Sequence, residues 1–183
     1  MSGTGCLLLA LLLVADARAG EVEHAEVTHK AGRYSLDLVM RIDSDPDVVY
    51  ALVTDYDELK QISRTIVESR LLETQPDGRK RRRLITETCI WFFCFKATMV
   101  EDVVEKSDRS ILTTIVPAQS DYRYGESVWH ISATEGGTRI HFETTLEPDF
   151  WIPPVIGTWI LKNKMRTEAE HTVLEVEQLA RHE

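Results

Sequence analysis

The chain has 183 residues, with 30 acidic side chains against 21 Lys and Arg, a net charge of −9 and a pI near 5.2. That balance disfavours nucleic acid and anionic membrane surfaces as non-specific electrostatic partners. No Ser/Gly/Pro-rich linker and no internal repeat divides the chain, so one domain with a sizeable core is expected.

Residues 1–19 read as a secretory signal peptide. The apolar stretch Leu7-Leu8-Leu9-Ala10-Leu11-Leu12-Leu13-Val14 is too short to span a bilayer, and Ala17-Arg18-Ala19 has the A-x-A form of a cleavage site, which places the cut before Gly20. Cys6 precedes the apolar stretch, which argues against a lipoprotein anchor. The expected mature domain is 20–183, periplasmic or secreted.

Alternation resumes after the cut. Tyr34, Leu36, Leu38 and Met40 share one face of a strand, and Lys30-Ala31-Gly32-Arg33 makes the turn before it. Ser44-Asp45-Pro46-Asp47 supplies a cap and an early helical proline for a short helix through Val48, Val49, Ala51, Leu52 and Val53, with a second over residues 57–62. Period two then holds through strands at 65–74, 82–89, 95–105, 110–116, 126–134 and 138–146, an antiparallel meander. The tract Arg79-Lys80-Arg81-Arg82-Arg83 reads as a solvated, edge-protecting strand start. From Val155 to about Arg181, Leu161, Met165, Ala169, Thr172, Val173, Val176 and Leu179 recur every three or four residues, as in one long amphipathic helix; Glu168, Glu170, Glu175 and Glu177 read as its solvated side.

Inside the meander lies Cys89-Ile90-Trp91-Phe92-Phe93-Cys94. On one continuous strand two cysteines five apart are roughly 16 Å apart and face opposite ways, so a bridge requires a reversal between them. The uninterrupted run is also about twice the usual strand length, which calls for a reversal or a strong bulge inside it. A two-residue primed turn wants Asn or Gly, which Trp91-Phe92 does not offer; a four-residue loop over 90–93 avoids the objection. An even cysteine count in an oxidising compartment favours the Cys89–Cys94 disulfide, which is the expected pairing; a pair of buried free thiols is the alternative.

This order of elements gives an α+β arrangement in which a curved antiparallel sheet wraps a long helix and can enclose an apolar cavity. It resembles the START-like helix-grip superfamily (SRPBCC), in its polyketide cyclase/dehydrase and coenzyme-Q-binding branches. The carriers are "SDPDVVYALVTDYDELKQI", "SVWHISATEGGTRIHFETTLEPD" and "WIPPVIGTWILKNKMRTEAEHTVLEVEQLA". The resemblance implies a hydrophobic small molecule or lipid, such as a quinone, held under the C-terminal helix. It does not imply one reaction.

The residues expected to line or gate the cavity are Trp91, Phe92, Trp129, Phe142, Trp151 and Trp159, with Asn163 near the helix entrance to anchor a polar head group. For Trp151, Trp159, Phe150 and Ile152 a packed lid is the alternative. Exposed aromatics at the Cys89–Cys94 tip would need a cover: the cavity mouth, a membrane touched transiently, or a partner. His130 and His141, on strands joined by the Gly136-Gly137 hairpin, offer a general base or two metal ligands, but both fall on polar faces and read as surface histidines. There is no linear signature of a nucleophile with its base, of paired carboxylates or of a metal cluster, and no catalytic residue, metal or cofactor is expected. The functional expectation is an exported carrier of a hydrophobic ligand; the alternative is a cyclase/dehydratase-type enzyme acting on a polyketide-like or aromatic substrate in the same cavity.

Overall fold

In the computed structural model, residues 20–90, 92–153 and 156–182 are described. Eight antiparallel strands form one sheet: β1 (Glu21–Lys30), β2 (Arg33–Ile42), β3 (Ile66–Thr74), β4 (Lys80–Ile90), β5 (Phe93–Glu105), β6 (Ser110–Ile115), β7 (Tyr122–Thr134) and β8 (Gly137–Pro148), in the order β1-β2-β8-β7-β6-β5-β4-β3. Strands 3 to 8 form the expected meander, and β8 closes onto β2, so that β1 and β3 are the edges. The helix-grip α+β fold is thus the one the sequence suggests.

The first helix, α1 (Pro46–Thr54), is capped as its sequence indicates, with the Asp45 carboxylate accepting from the Asp47 N–H. The second contracts to a single 3-10 turn, Leu59–Gln61. The long helix α2 is Thr158–Ala180, while Pro154, Val155 and Glu183 lie outside the described residues. Its C-terminal half packs Ala169, Val173 and Val176 into a core with Leu38, Met40, Ile42, Val49, Leu84, Val103, Ile111, Ile131 and Ile140.

Two sequence expectations are corrected by tertiary contacts. The basic tract does not guard an edge, because β3 pairs outside it. Arg82 points inward and is buried against Glu101, with Nε and Nη2 at 2.9 and 2.8 Å from Oε2, and Thr113 donates to Oε1 at 3.2 Å. Arg81 and Arg83 point outward and pair with Asp102 and Glu68, while Lys80 shares the face of Arg82 and pairs with Glu105 beside Tyr56. An alternating pattern cannot reveal a charge on the inner face until the opposite charge on the next strand is known. The second correction is Glu177, which is buried at 2% exposure rather than solvated.

Cys89 and Cys94 are bonded, with S–S 2.02 Å and Cα atoms 4.0 Å apart. The loop is shorter than the four residues weighed above: Ile90 pairs with Phe93, which leaves two residues between the strands. Ile90 is buried and belongs to the inner face, so keeping it in the sheet outweighs the poor turn propensity of the tip. Trp91 lies outside the described residues.

Candidate functional site

The inner face of the sheet changes character along β2. Ile42, Met40 and Leu38 meet the C-terminal half of α2 in close packing, whereas Leu36 and Tyr34 open onto a cavity of about 290 Å³. The facing positions explain the space: Thr86 and Thr88 on β4, Ala97 on β5 and Thr144 on β8 are all small. Phe95, Met99, Leu146, Phe150, Ile152 and Ile156 complete the wall, and Leu161 and Met165 from the N-terminal half of α2 roof it. The cavity therefore lies where helix and sheet diverge, between the two edge strands.

Among the described residues no Asp, Glu, Lys, Arg or His lines this space. Its polarity comes from hydroxyls, most of them already engaged. Thr65 bonds to Ser63 at 3.0 Å, Thr86 donates weakly to the Ala97 carbonyl at 3.4 Å, and Ser127 donates to Thr144 at 2.9 Å. The Tyr122 hydroxyl meets Thr86; burial, helped by the carboxylates of Asp121 and Glu101, pushes this phenol up to about 12. Burial also raises Tyr34 above the usual tyrosine range. Thr88 differs from the other wall threonines: its Oγ1 is buried with no hydrogen-bond partner among the described residues.

The residues singled out from sequence fall elsewhere. Trp129 and Phe142 are a cross-strand pair on the inner face, with ring centroids 4.2 Å apart, and they pack against the core beyond the cavity. Asn163 is exposed on α2. Phe92, Trp151 and Trp159 are 81%, 71% and 72% exposed and stand outside the wall. They nevertheless flank it along the chain, for Trp151 sits between the wall residues Phe150 and Ile152, Phe92 is two residues past Ile90, and Trp159 is two before Leu161. The aromatics that do line the cavity are Phe95, Phe150, Tyr34 and Tyr122. Large aromatics attracted the sequence reading, while the cavity is built by small side chains opposite one another, a pattern that strand register alone reveals.

On the outer face His130 and His141 are cross-strand partners with ring centroids 6.5 Å apart. His130 is exposed and meets Ser110 Oγ at 2.9 Å; His141 is half-buried, with Nε2 3.0 Å from Asp37 Oδ1. Asp37, His141 and the exposed Glu143 offer three ligand atoms within 4.8 Å of one another, a set able to hold a divalent cation at the surface, remote from the cavity side.

The buried Arg82–Glu101 pair does not reach the cavity, because the pair Leu84 and Met99 comes one step nearer to it along β4 and β5. Tyr56 closes the other side of this network; its ring lies under the Arg82 guanidinium and its hydroxyl donates to Glu105 at 2.7 Å. Burial and the Glu105 carboxylate hold that phenol far above the usual tyrosine range.

Comparison with solved structures places the fold among known ones. A START superfamily protein from Mycobacterium smegmatis aligns with TM-score 0.63 at 16% identity, over 81% of this chain and 97% of that one. The Zhui aromatase/cyclase from Streptomyces sp. R1128 aligns with TM-score 0.64 at 11% identity, over 82% and 94%. A STAR-related lipid transfer protein from Xanthomonas axonopodis aligns with TM-score 0.57 at 14% identity, over 86% and 98%. A sequence comparison with curated proteins finds no match. Residues 33–177 match the family model described as polyketide cyclase / dehydrase and lipid transport; with its helix-grip sheet and the cavity under α2, the chain belongs to this family of the START-like superfamily.

Proposed function

We propose that the protein is an exported carrier that shields an uncharged hydrophobic molecule in the cavity under α2. The observation that carries this reading is a wall without a charged side chain among the described residues. An ionised head group inside such a wall would lose its hydration with no counter-charge, at a cost of several kcal/mol. A neutral molecule with one carbonyl or hydroxyl, by contrast, gives the Thr88 hydroxyl the partner it lacks. The volume, about 290 Å³, is at the lower end of small-molecule sites, which suits one prenyl or acyl chain or a compact ring system better than a two-chain phospholipid.

Protein purified from the periplasm or medium and extracted with organic solvent is expected to release a neutral lipid, quinone or polycycle, read by mass spectrometry. In competition assays a fluorescent hydrophobic alcohol should bind more tightly than the carboxylate of equal length, and Thr88→Val should weaken the alcohol by roughly 3- to 10-fold. Preference for the carboxylate would overturn the uncharged-ligand reading. The cyclase reading has one observation on its side, the neutral Tyr122 phenol against Thr86 in the wall, a hydroxyl able to hydrogen-bond a substrate carbonyl. A polyketone consumed during incubation, instead of recovered intact, would favour it.

Delivery of such a cargo requires contact with a membrane, and the rim of the cavity is suited to it. Phe92, Trp151 and Trp159 expose large rings that water solvates poorly, while the net charge of −9 gives no general attraction to anionic lipid. Flotation with neutral phosphatidylcholine vesicles should therefore be insensitive to salt and should be lost when the three residues are replaced by serine. The same variant should keep its Tm within about 2 °C, since exposed substitutions cost little. Collapse of the fold instead would make these rings part of the core.

A further inference from the structure

Glu177 is the most buried acid of α2, and its surroundings are unusual for a helix carboxylate. One oxygen, Oε1, accepts two backbone N–H groups, from Gly20 at 2.7 Å and from Asp43 at 2.8 Å. The other is 3.6 Å from Nη2 of Arg181, a side chain 70% exposed. A buried carboxylate held by two neutral amides and one distant, solvated cation is poorly compensated. The residue donating the shorter bond is the one that follows Ala17-Arg18-Ala19.

We infer that proteolytic cleavage between Ala19 and Gly20 completes this site: the α-ammonium released on Gly20 forms a buried ion pair with Glu177 and locks the start of β1 to α2. The inference rests on the reading above that the chain is exported and cut. Hydrolysis of the Ala19–Gly20 peptide bond by water leaves a carboxylate on the departing segment and converts the Gly20 N–H, one neutral donor, into an ammonium with three. The donor already stands at hydrogen-bond distance, so the gain in charge requires no movement of β1.

The identity of residue 20 is an independent pointer. A Cβ at Gly20 would lie 2.4 Å from Glu177 Oε1, 2.4 Å from Val173 Cγ1 and 2.6 Å from the Arg41 carbonyl oxygen, so only glycine fits. The A-x-A rule specifies residues before the cut, so the demand for glycine comes from the pocket around Glu177. The site also explains why an acid interrupts the buried stripe of α2 beside Val173 and Val176.

The test uses the exported chain in two forms, one cut to begin at Gly20 and one carrying a single alanine inserted between the cut and Gly20. Intact mass reads the cut, thermal unfolding reads the docking, and each form is also made as Glu177→Gln. The inserted alanine should lower Tm by roughly 5 °C, and Glu177→Gln should lower the Gly20-first form clearly more than the extended one. In the native Gly20-first protein the α-amine should react with an amine-directed acylating reagent at least 10-fold more slowly than in the unfolded chain, a readout that needs no variant. A chain retained inside the cell would overturn the export reading and the pairing together, and a secreted chain left uncut or cut elsewhere would overturn the pairing. A cut after Ala19 with equal Tm for the two forms and a freely reactive α-amine would overturn the pairing alone.

Discussion

Replacing Glu101 by leucine should destabilise the protein by about 3–5 kcal/mol, because it leaves the Arg82 guanidinium buried without its counter-charge. Arg82 and Glu101 are both under 10% exposed, with nitrogens at 2.9 and 2.8 Å from one carboxylate oxygen. The stacked Tyr56 ring on one side and Thr113 on the other offer nothing to replace the lost charge. The double variant Arg82→Met with Glu101→Leu removes both charges and should recover most of the loss, since apolar replacement of a whole buried pair is often neutral or stabilising. Urea midpoints of the unaltered protein, the single variants Glu101→Leu and Arg82→Met, and the double variant give the coupling energy directly. Equal losses in the single and double variants would mean that the two side chains act through packing and not as an ion pair.

The second large effect concerns the cavity. Ala97 is buried on β5 in the middle of its wall, and Ala97→Trp should fill much of the 290 Å³ with an indole. Solvent extraction of this variant should yield none of the hydrophobe released by the unaltered protein, a loss of at least 10-fold. Stability should hardly change, because the ring enters space and not packed core; overpacking elsewhere would cost roughly 1–3 kcal/mol. Undiminished cargo in a folded Ala97→Trp protein would move the binding site away from α2 and sink the carrier model as drawn. A Met165→Leu control, which trims the roof without filling the space, should retain cargo.

These expectations separate what periodicity can convey from what it cannot. The repeat of two through the meander and the three-and-four spacing of Leu161, Met165, Ala169, Val173 and Val176 are local properties, and the strands and α2 follow them closely. The reversal between Cys89 and Cys94 was legible from length and reach: a strand twice the usual span calls for a break inside it, and two cysteines five apart can bond only across one. The turn itself was not legible, because the burial of Ile90 on the inner face, which keeps it paired with Phe93, depends on the assembled cavity.

The candidate site was legible as a location but not as a set of residues. The sequence alone determined that an amphipathic helix must lie across a curved antiparallel sheet and that the space between them would be apolar. Tertiary structure decided which side chains face that space, since it depends on the register that sets Thr88 opposite Phe95 and Thr86 opposite Ala97, while Trp129 and Phe142 fill the core beyond. It also decided the fate of two charges that alternation assigns to solvent. Arg82 is buried because Glu101 arrives across the strand, and Glu177 because the backbone of Gly20 and Asp43 arrives from the other end of the chain. Desolvation of a charge is affordable only where a partner is waiting, and the partner's position is a property of the fold.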